Sequence, residues 1–428
     1  MVGNIFLLIL SIAIYMSYGI QNCIFIIFSI LTTYIAAKNL KTKHRKLILI
    51  GTIAINSIIL IGVKFLPVAQ SIYPITKTWN IIVPVGISYY TLQIISYLVD
   101  VYKEKQLAET NFFYYFLHIM YIPHLLIGPI TRYEDMKKQL LEKRKITLSN
   151  FYEGSLRIVW GLLKKLVISG RIAIVISTIL KNEYNGFYAL FAMILYSIEL
   201  YSDFSGGIDI VLGVSKIVNI SLPENFDSPY FSQSIKEFWR RWHITLSSWL
   251  KDYIYIPLGG NRCSKIRKAI NVIITFAISG LWHGANYILW GILHGIFVLM
   301  GEKGKTKNKW INRVITFIIV SILWSFFIWQ DTFVAIKMIG SVITNFNILE
   351  VFNNFLNLGL AFSDWIILFI FTLILFVWDG NKEKLQSKIK NMKLETKTIL
   401  IGTILLIVIV FGIYGIGFNV NEFIYSKF

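Results

Sequence analysis

Residues 269–300 read AINVIITFAISGLWHGANYILWGILHGIFVLM, a stretch with no acidic or basic side chain that still carries Trp282, His283, Asn286 and His294. It exceeds the roughly 20 apolar residues needed to cross a bilayer. Gly280 and Gly284 flank His283 and permit close helix packing or a broken helix. In a single unbroken helix, His283 and His294 would share nearly one face. An ionisable side chain in hydrocarbon is a functional candidate by default. The plainer alternative is a structural histidine bonded to a neighbouring helix.

Upstream, residues 238–262 read FWRRWHITLSSWLKDYIYIPLGGNR and carry His243, a second of only six histidines in the chain. On a helix, Trp239, Trp242, Leu246, Trp249, Leu250 and Tyr253 fall on one apolar face, with Lys236, Arg240, Arg241, Ser247, Ser248 and Lys251 largely opposite. The spacing therefore predicts one amphipathic helix over 236–253 lying at the cytoplasmic interface. His243 falls at the flank of the apolar face, where it can point inward. Pro257 and the Gly259-Gly260-Asn261-Arg262 turn should stop the helix, and a glycine turn beside an arginine suits a phosphate.

Composition agrees with the reading of these two segments. The 428 residues are 56% hydrophobic and 15% charged, against about a quarter charged in soluble domains. The apolar residues come in long blocks without period-2 alternation, so the fold class is an all-α, polytopic membrane protein. The net charge of +19 does not indicate nucleic acid, because the Lys and Arg residues cluster in short loops between apolar blocks, as in proteins oriented by positive charge inside. Cys23 and Cys263 do not suggest a disulfide framework, and no cleavable signal peptide is expected.

The basic clusters at 38–46, 132–145, 251–268, 302–313 and 382–397 predict cytoplasmic loops, and the acidic 331–364 segment an outer one. Residues 4–37 form either two short helices or one long one, and 47–65 cross outward to a weakly charged loop at 67–77. The blocks at 81–100 and 111–130 cannot both cross fully without placing 132–145 on the wrong side, so one should be re-entrant or interfacial. Residues 151–180 carry Arg157, Lys164, Lys165 and Arg171, so only part of that segment can lie in hydrocarbon. A span at 186–202 should end in Tyr201-Ser202-Asp203, with Asp203 and Asp209 orienting a histidine or, more simply, capping a turn at Ser205-Gly206-Gly207. Further spans fall near 314–330, 365–379 and 398–417. No repeat or linker divides the chain, which reads as one membrane-embedded domain over 1–428.

Other chemistries lack their signatures. There is no HExxH, paired CxxC, Walker loop or dinucleotide-binding glycine fingerprint, so no bound cofactor or metal is expected. Ser205, Ser247 and Ser248 lack a GxSxG context.

The two histidine segments together resemble the membrane-bound O-acyltransferase superfamily, in the branch containing the membrane subunit of bacterial alginate O-acetylation. The resemblance extends to Ile87-Ser88-Tyr89-Tyr90-Thr91-Leu92-Gln93, Ile127-Gly128-Pro129-Ile130 and Leu222-Pro223-Glu224-Asn225-Phe226, covering about residues 80–300. It implies a helical bundle, with re-entrant and interfacial helices, around a tunnel through which a cytoplasmic thioester meets an acceptor on the other side. The superfamily's membrane histidine maps onto His283. Its upstream partner, histidine in this branch and often asparagine elsewhere, maps onto His243. His283 is expected to act as general base, and His243 to orient the thioester or stabilise the oxyanion. Trp239, Arg241, Trp282, Asn286, Asn261 and Arg262 are expected to contact substrate.

The implied donor is acetyl-CoA, with an acyl carrier protein as the alternative in the D-alanyl-transfer relatives. The implied partners are an extracytoplasmic acetyltransferase and membrane lipid, in the cell membrane, and the acceptor is a polysaccharide such as alginate, cellulose or peptidoglycan. A proton-coupled transporter or flippase is the competing class, although the paired repeats common in transporters are absent.

Overall fold

Gly19, with a φ of +117°, separates the first two helices, α1 (Val2–Ser17) and α2 (Gln21–Asn39). A left-handed backbone of this kind strains any residue with a Cβ, so residues 4–37 form two helices. The computed structural model describes residues 2–72, 83–301 and 306–414. Parts of the expected 67–77 loop, the 302–313 loop and the 398–417 span lie outside these residues.

The N-terminal half continues with α3 (Arg45–Ile72), α4 (Ile87–Tyr102), α5 (Phe112–Met120), α6 (Ile122–Leu126), α7 (Tyr133–Leu141), α8 (Leu148–Leu162), α9 (Gly170–Lys181) and α10 (Phe187–Ile217). Two short helices follow, α11 (Ile235–Arg241) and α12 (Ile244–Leu250). Then come α13 (Lys265–His283), α14 (Ile288–Met300), α15 (Lys309–Leu323), α16 (Ser325–Trp329), α17 (Thr332–Thr344) and α18 (Ile348–Asn354). The last three are α19 (Phe362–Gly380), α20 (Lys382–Lys390) and α21 (Leu394–Phe411). No strand occurs among the described residues, and six helical segments there are long and apolar enough to cross a membrane. Side-chain caps fix several starts: Asn111 for α5, Thr147 for α8, Ser234 for α11, Ser264 for α13 and Asp331 for α17.

The re-entrant block is 111–130. Glu109, just before α5, pairs with Lys137 at 2.6 Å, and Arg132, just after the block, pairs with Asp252 at 3.0 Å. The chain therefore enters and leaves at the same end of the bundle, by way of two short helices broken at Tyr121. Arg45–Glu104 and Lys382–Asp227 pairs lie at the basic cluster ends as well. The positive-inside rule predicts that this end is cytoplasmic.

The expected turn at Ser205-Gly206-Gly207 is absent; α10 runs through it unbroken to Ile217. Its glycines serve helix packing instead. A Cβ on Gly161 would meet the Gly206 carbonyl oxygen at 2.5 Å, and one on Gly154 the Gly213 oxygen at 2.6 Å, so α8 and α10 touch backbone to backbone. That approach brings the cations of 157–165 onto the acids of α10. Asp209 takes Lys164 at 2.5 Å and Arg157 at 2.9 Å, while Asp203 pairs with Lys165. Asp203 and Asp209 thus neutralise buried cations and neither caps a turn nor orients a histidine.

The single amphipathic helix expected over 236–253 is also absent. The chain breaks between α11 and α12 at His243, then widens into a π-helical turn at Lys251–Tyr255. Phe238, Trp239, Trp242, His243, Leu246 and Trp249 are all buried in the bundle. The apolar stripe is real, but it packs on protein rather than lipid.

Candidate active site

His243 adopts φ 43° and ψ 54°, a left-handed conformation that a residue with a Cβ keeps only when its surroundings impose it. Asn225, fully buried, imposes it. Its main-chain oxygen accepts Ile244 N–H at 3.0 Å, and its side-chain Oδ1 accepts Thr245 N–H at 3.1 Å and Thr245 Oγ1 at 2.9 Å. The same Oδ1 lies 3.3 Å from His243 Nδ1. Thr245 Oγ1 in turn accepts Ile130 N–H at 3.1 Å. Two motifs without legible chemistry, Ile127–Ile130 and Leu222–Phe226, therefore converge on the kink that presents His243.

This network sets the tautomer. A backbone N–H can only donate, so the Asn225 atom facing Thr245 N is its oxygen, and His243 Nδ1 must carry the proton it shares with that oxygen. A neutral His243 then has Nε2 as a bare acceptor, and no protein partner reaches Nε2 among the described residues. In this tautomer Nε2 can orient a substrate as an acceptor, and it donates only after taking up a proton itself.

His283 arrives from the opposite direction. It is the last residue of α13, a helix about 28 Å long at 1.5 Å per residue that starts at the basic cytoplasmic end. The 269–300 stretch is a helix hairpin: α13 and α14 pack so closely that a Cβ on Gly291 would lie 2.1 Å from the Phe276 oxygen, and one on Gly280 2.2 Å from the Tyr287 oxygen. The hairpin turn lies beside the outer segment, with Asn286 Nδ2 donating to the Gln330 carbonyl at 3.0 Å. His283 and His294 sit on different helices yet flank the same indole, that of Trp290, at ring separations of 5.6 and 4.8 Å.

His243 and His283 line one cavity of about 20 Å³, room for one water-sized occupant. Its walls are otherwise aromatic and aliphatic, including Phe204, Trp239, Trp242, Trp290 and Phe327. The indole N–H of Trp290 has no hydrogen-bond partner among the described residues. A buried donor of this kind, on a residue that lines the cavity, is chemically able to stabilise a developing negative charge.

The other expected substrate contacts divide. Trp239 lines the cavity and donates Nε1–H to His294 Nδ1 at 3.1 Å, which makes it a wall held in place. Trp282 packs between the histidines, at 6.2 Å from the His243 ring and 4.7 Å from that of His283. Arg241 is away from the cavity, paired with Glu237 and Asp227. Asn286 is exposed at the hairpin turn. Asn261, which accepts Tyr255 Oη–H at 2.8 Å, and Arg262 are exposed in the cytoplasmic loop.

Three neighbours of the histidines were not expected from sequence: Asn225, Trp290 and Lys64. Lys64 Nζ donates to the Trp282 carbonyl at 2.6 Å and lies 5.1 Å from that residue's ring. A lysine inside the apolar 47–65 block was itself a legible signal. Asn225 and Trp290 had none beyond membership of the motifs.

The profile of the membrane-bound O-acyltransferase family matches residues 45–304, more than half of the chain. The chain belongs to this family. Among similar proteins, the probable alginate O-acetylase of Pseudomonas syringae pv. tomato is 40% identical over 273 residues, 61% of this chain and 52% of that protein. The peptidoglycan O-acetyltransferase of Helicobacter pylori is 35% identical over 305 residues, 62% of this chain and 58% of that protein. The teichoic acid D-alanyltransferase of Bacillus subtilis is 30% identical over 359 residues, 76% of this chain and 87% of that protein. The chain thus spans little more than half the length of the two O-acetylating relatives. In this O-acyltransferase family member, the matched region contains both histidines and Asn225, and the described helices fit a multi-pass membrane protein.

Proposed function

We propose that this protein transfers acetyl groups from cytoplasmic acetyl-CoA toward a cell-surface polysaccharide, in concert with a separate extracytoplasmic acetyltransferase. The observation that carries the reading is the convergence of His243 and His283, from separate helices, on one water-sized cavity in a chain of this family. His283 lies toward the outer end and would take the proton of the attacking hydroxyl as that oxygen bonds to the thioester carbonyl carbon. The oxyanion would be met by the Trp290 indole N–H, and collapse would break the C–S bond. A thioester is already activated, so positioning and proton transfer suffice.

A second reading is D-alanyl transfer from a carrier protein, favoured by the 87% of the Bacillus relative that this chain covers. The identity of 40% to the alginate relative supports acetyl transfer. Purified protein in liposomes, given labelled acetyl-CoA or D-alanyl carrier protein on the basic-loop side, tests both. Acetyl transfer that falls by about 10²–10⁴ in His283→Ala, with the variant still folded, is the expected result. Transfer at the wild-type rate by His283→Ala would refute the assignment, and exclusive use of the carrier protein would select the second reading.

A further inference from the structure

Building on the acyl-transfer reading, we infer that Asn225 is a positioning residue that makes His243 the proton-returning group of the reaction. Any acyl transfer from a thioester to a hydroxyl leaves one proton on the base and one thiolate to be discharged. In a cavity walled by indole and phenyl rings, a bare thiolate is costly. His283 is at the outer end of α13, whereas His243 is two residues beyond Arg241, whose partner Asp227 also binds Lys382 at the cytoplasmic end. The proton is therefore released toward the acceptor side and needed toward the donor side.

His243 is built for that passage. Its Nδ1–H is committed to Asn225 Oδ1, which two bonds from Thr245 hold in place, so Nε2 is the ring nitrogen left to take part in the reaction at the cavity His243 lines. Nε2 is buried and without a protein partner among the described residues, as a nitrogen that must accept a proton and give it up again requires. The steps balance. The hydroxyl O–H breaks and His283 takes the proton, the new O–C bond forms, and the C–S bond breaks. The proton passes through the water-sized cavity to His243 Nε2 and from there to sulfur, releasing a neutral thiol and two neutral imidazoles. Asn225 touches no reacting atom and acts only through the ring it fixes.

The test varies the leaving group. Acetyl-CoA releases an alkyl thiolate that benefits from protonation, and the acetyl thioester of an acidic aromatic thiol releases one that does not. Asn225→Leu, which removes the acceptor for Nδ1–H, should slow transfer from acetyl-CoA by about 10²-fold or more, yet slow the aromatic thioester by less than about tenfold. Asn225→Asp, which keeps an acceptor oxygen in place, should restore most of the rate with acetyl-CoA. If Asn225→Leu fails to reach the membrane folded, His243→Asn carries the same comparison, because asparagine tolerates the left-handed backbone. Equal losses with both thioesters would overturn the relay while leaving the acyl-transfer reading standing. Absence of transfer from either thioester by the wild-type protein would remove the acyl-transfer reading, and the relay with it.

Discussion

Gly291→Ala tests whether the α13–α14 hairpin sets the position of His283. The new Cβ would lie 2.1 Å from the Phe276 carbonyl oxygen and 2.9 Å from its carbon. Both are backbone atoms, so no rotamer change relieves the clash, and the helices must part by about 1 Å to regain ordinary contact. Overpacking of this kind costs about 1–3 kcal/mol, of which the higher helix propensity of alanine returns up to about 1 kcal/mol. The larger effect falls on chemistry, since a misplacement of about 1 Å can cost about 10²-fold in rate. Gly402→Ala, in α21 with nothing within 4 Å of the added carbon, is the matched control and should be neutral or slightly stabilising. Acetyl transfer in liposomes and thermal unfolding in detergent are measured for both variants. A Gly291→Ala protein as active and as stable as the control would refute the argument that this backbone contact places His283.

Trp290→Phe keeps an aromatic wall but removes the indole N–H, and should lower kcat by about 10²–10³ with little change in KM. Neutralising Arg262 together with Lys265, both exposed at the cytoplasmic loop, should raise the apparent acetyl-CoA KM more than it lowers kcat; an unchanged KM would remove this entrance. Burial alone would raise the Glu109 carboxyl, but hydrogen bonds from Lys137 and Tyr133 outweigh it and hold the group below the ordinary carboxylate value. Its stabilisation is therefore present above that ordinary value and is lost as pH falls through the depressed one, so Glu109→Gln should flatten the acid-side decline of Tm, and an unchanged decline would contradict this. Single cysteines in a cysteine-free background should react with an impermeant thiol reagent in intact cells at position 354 and not at 390, and the reverse would invert the topology.

Much of the architecture was legible because hydrocarbon imposes strict rules on composition. The parity of basic loops required one re-entrant or interfacial block, and in the structure 111–130 is re-entrant, with two short helices broken at Tyr121. The kink at His243 was not legible, because the stripe from Trp239 to Tyr253 satisfies helical periodicity throughout. What breaks the helix is Asn225, eighteen residues upstream, and no local pattern reports a tertiary clamp. Gly206 misled for a related reason: a glycine pair reads as a turn, whereas here it admits the backbone of α8. The two histidines could be singled out as polar groups in apolar sequence, but which of their neighbours share the cavity depended on hairpin packing.

The left-handed backbone at His243 also acts as a filter on substitution. Few side chains occupy that conformation readily; glycine does, and asparagine, aspartate and histidine do so several times more often than the rest. A lineage can therefore exchange histidine for asparagine here without disturbing the kink, whereas a β-branched or large apolar residue would strain it. The alternation of histidine and asparagine implied by the resemblance is one that this backbone conformation permits. A descendant carrying asparagine would inherit the shape of this site and lose its titratable nitrogen, and would have to discharge its leaving group by another route.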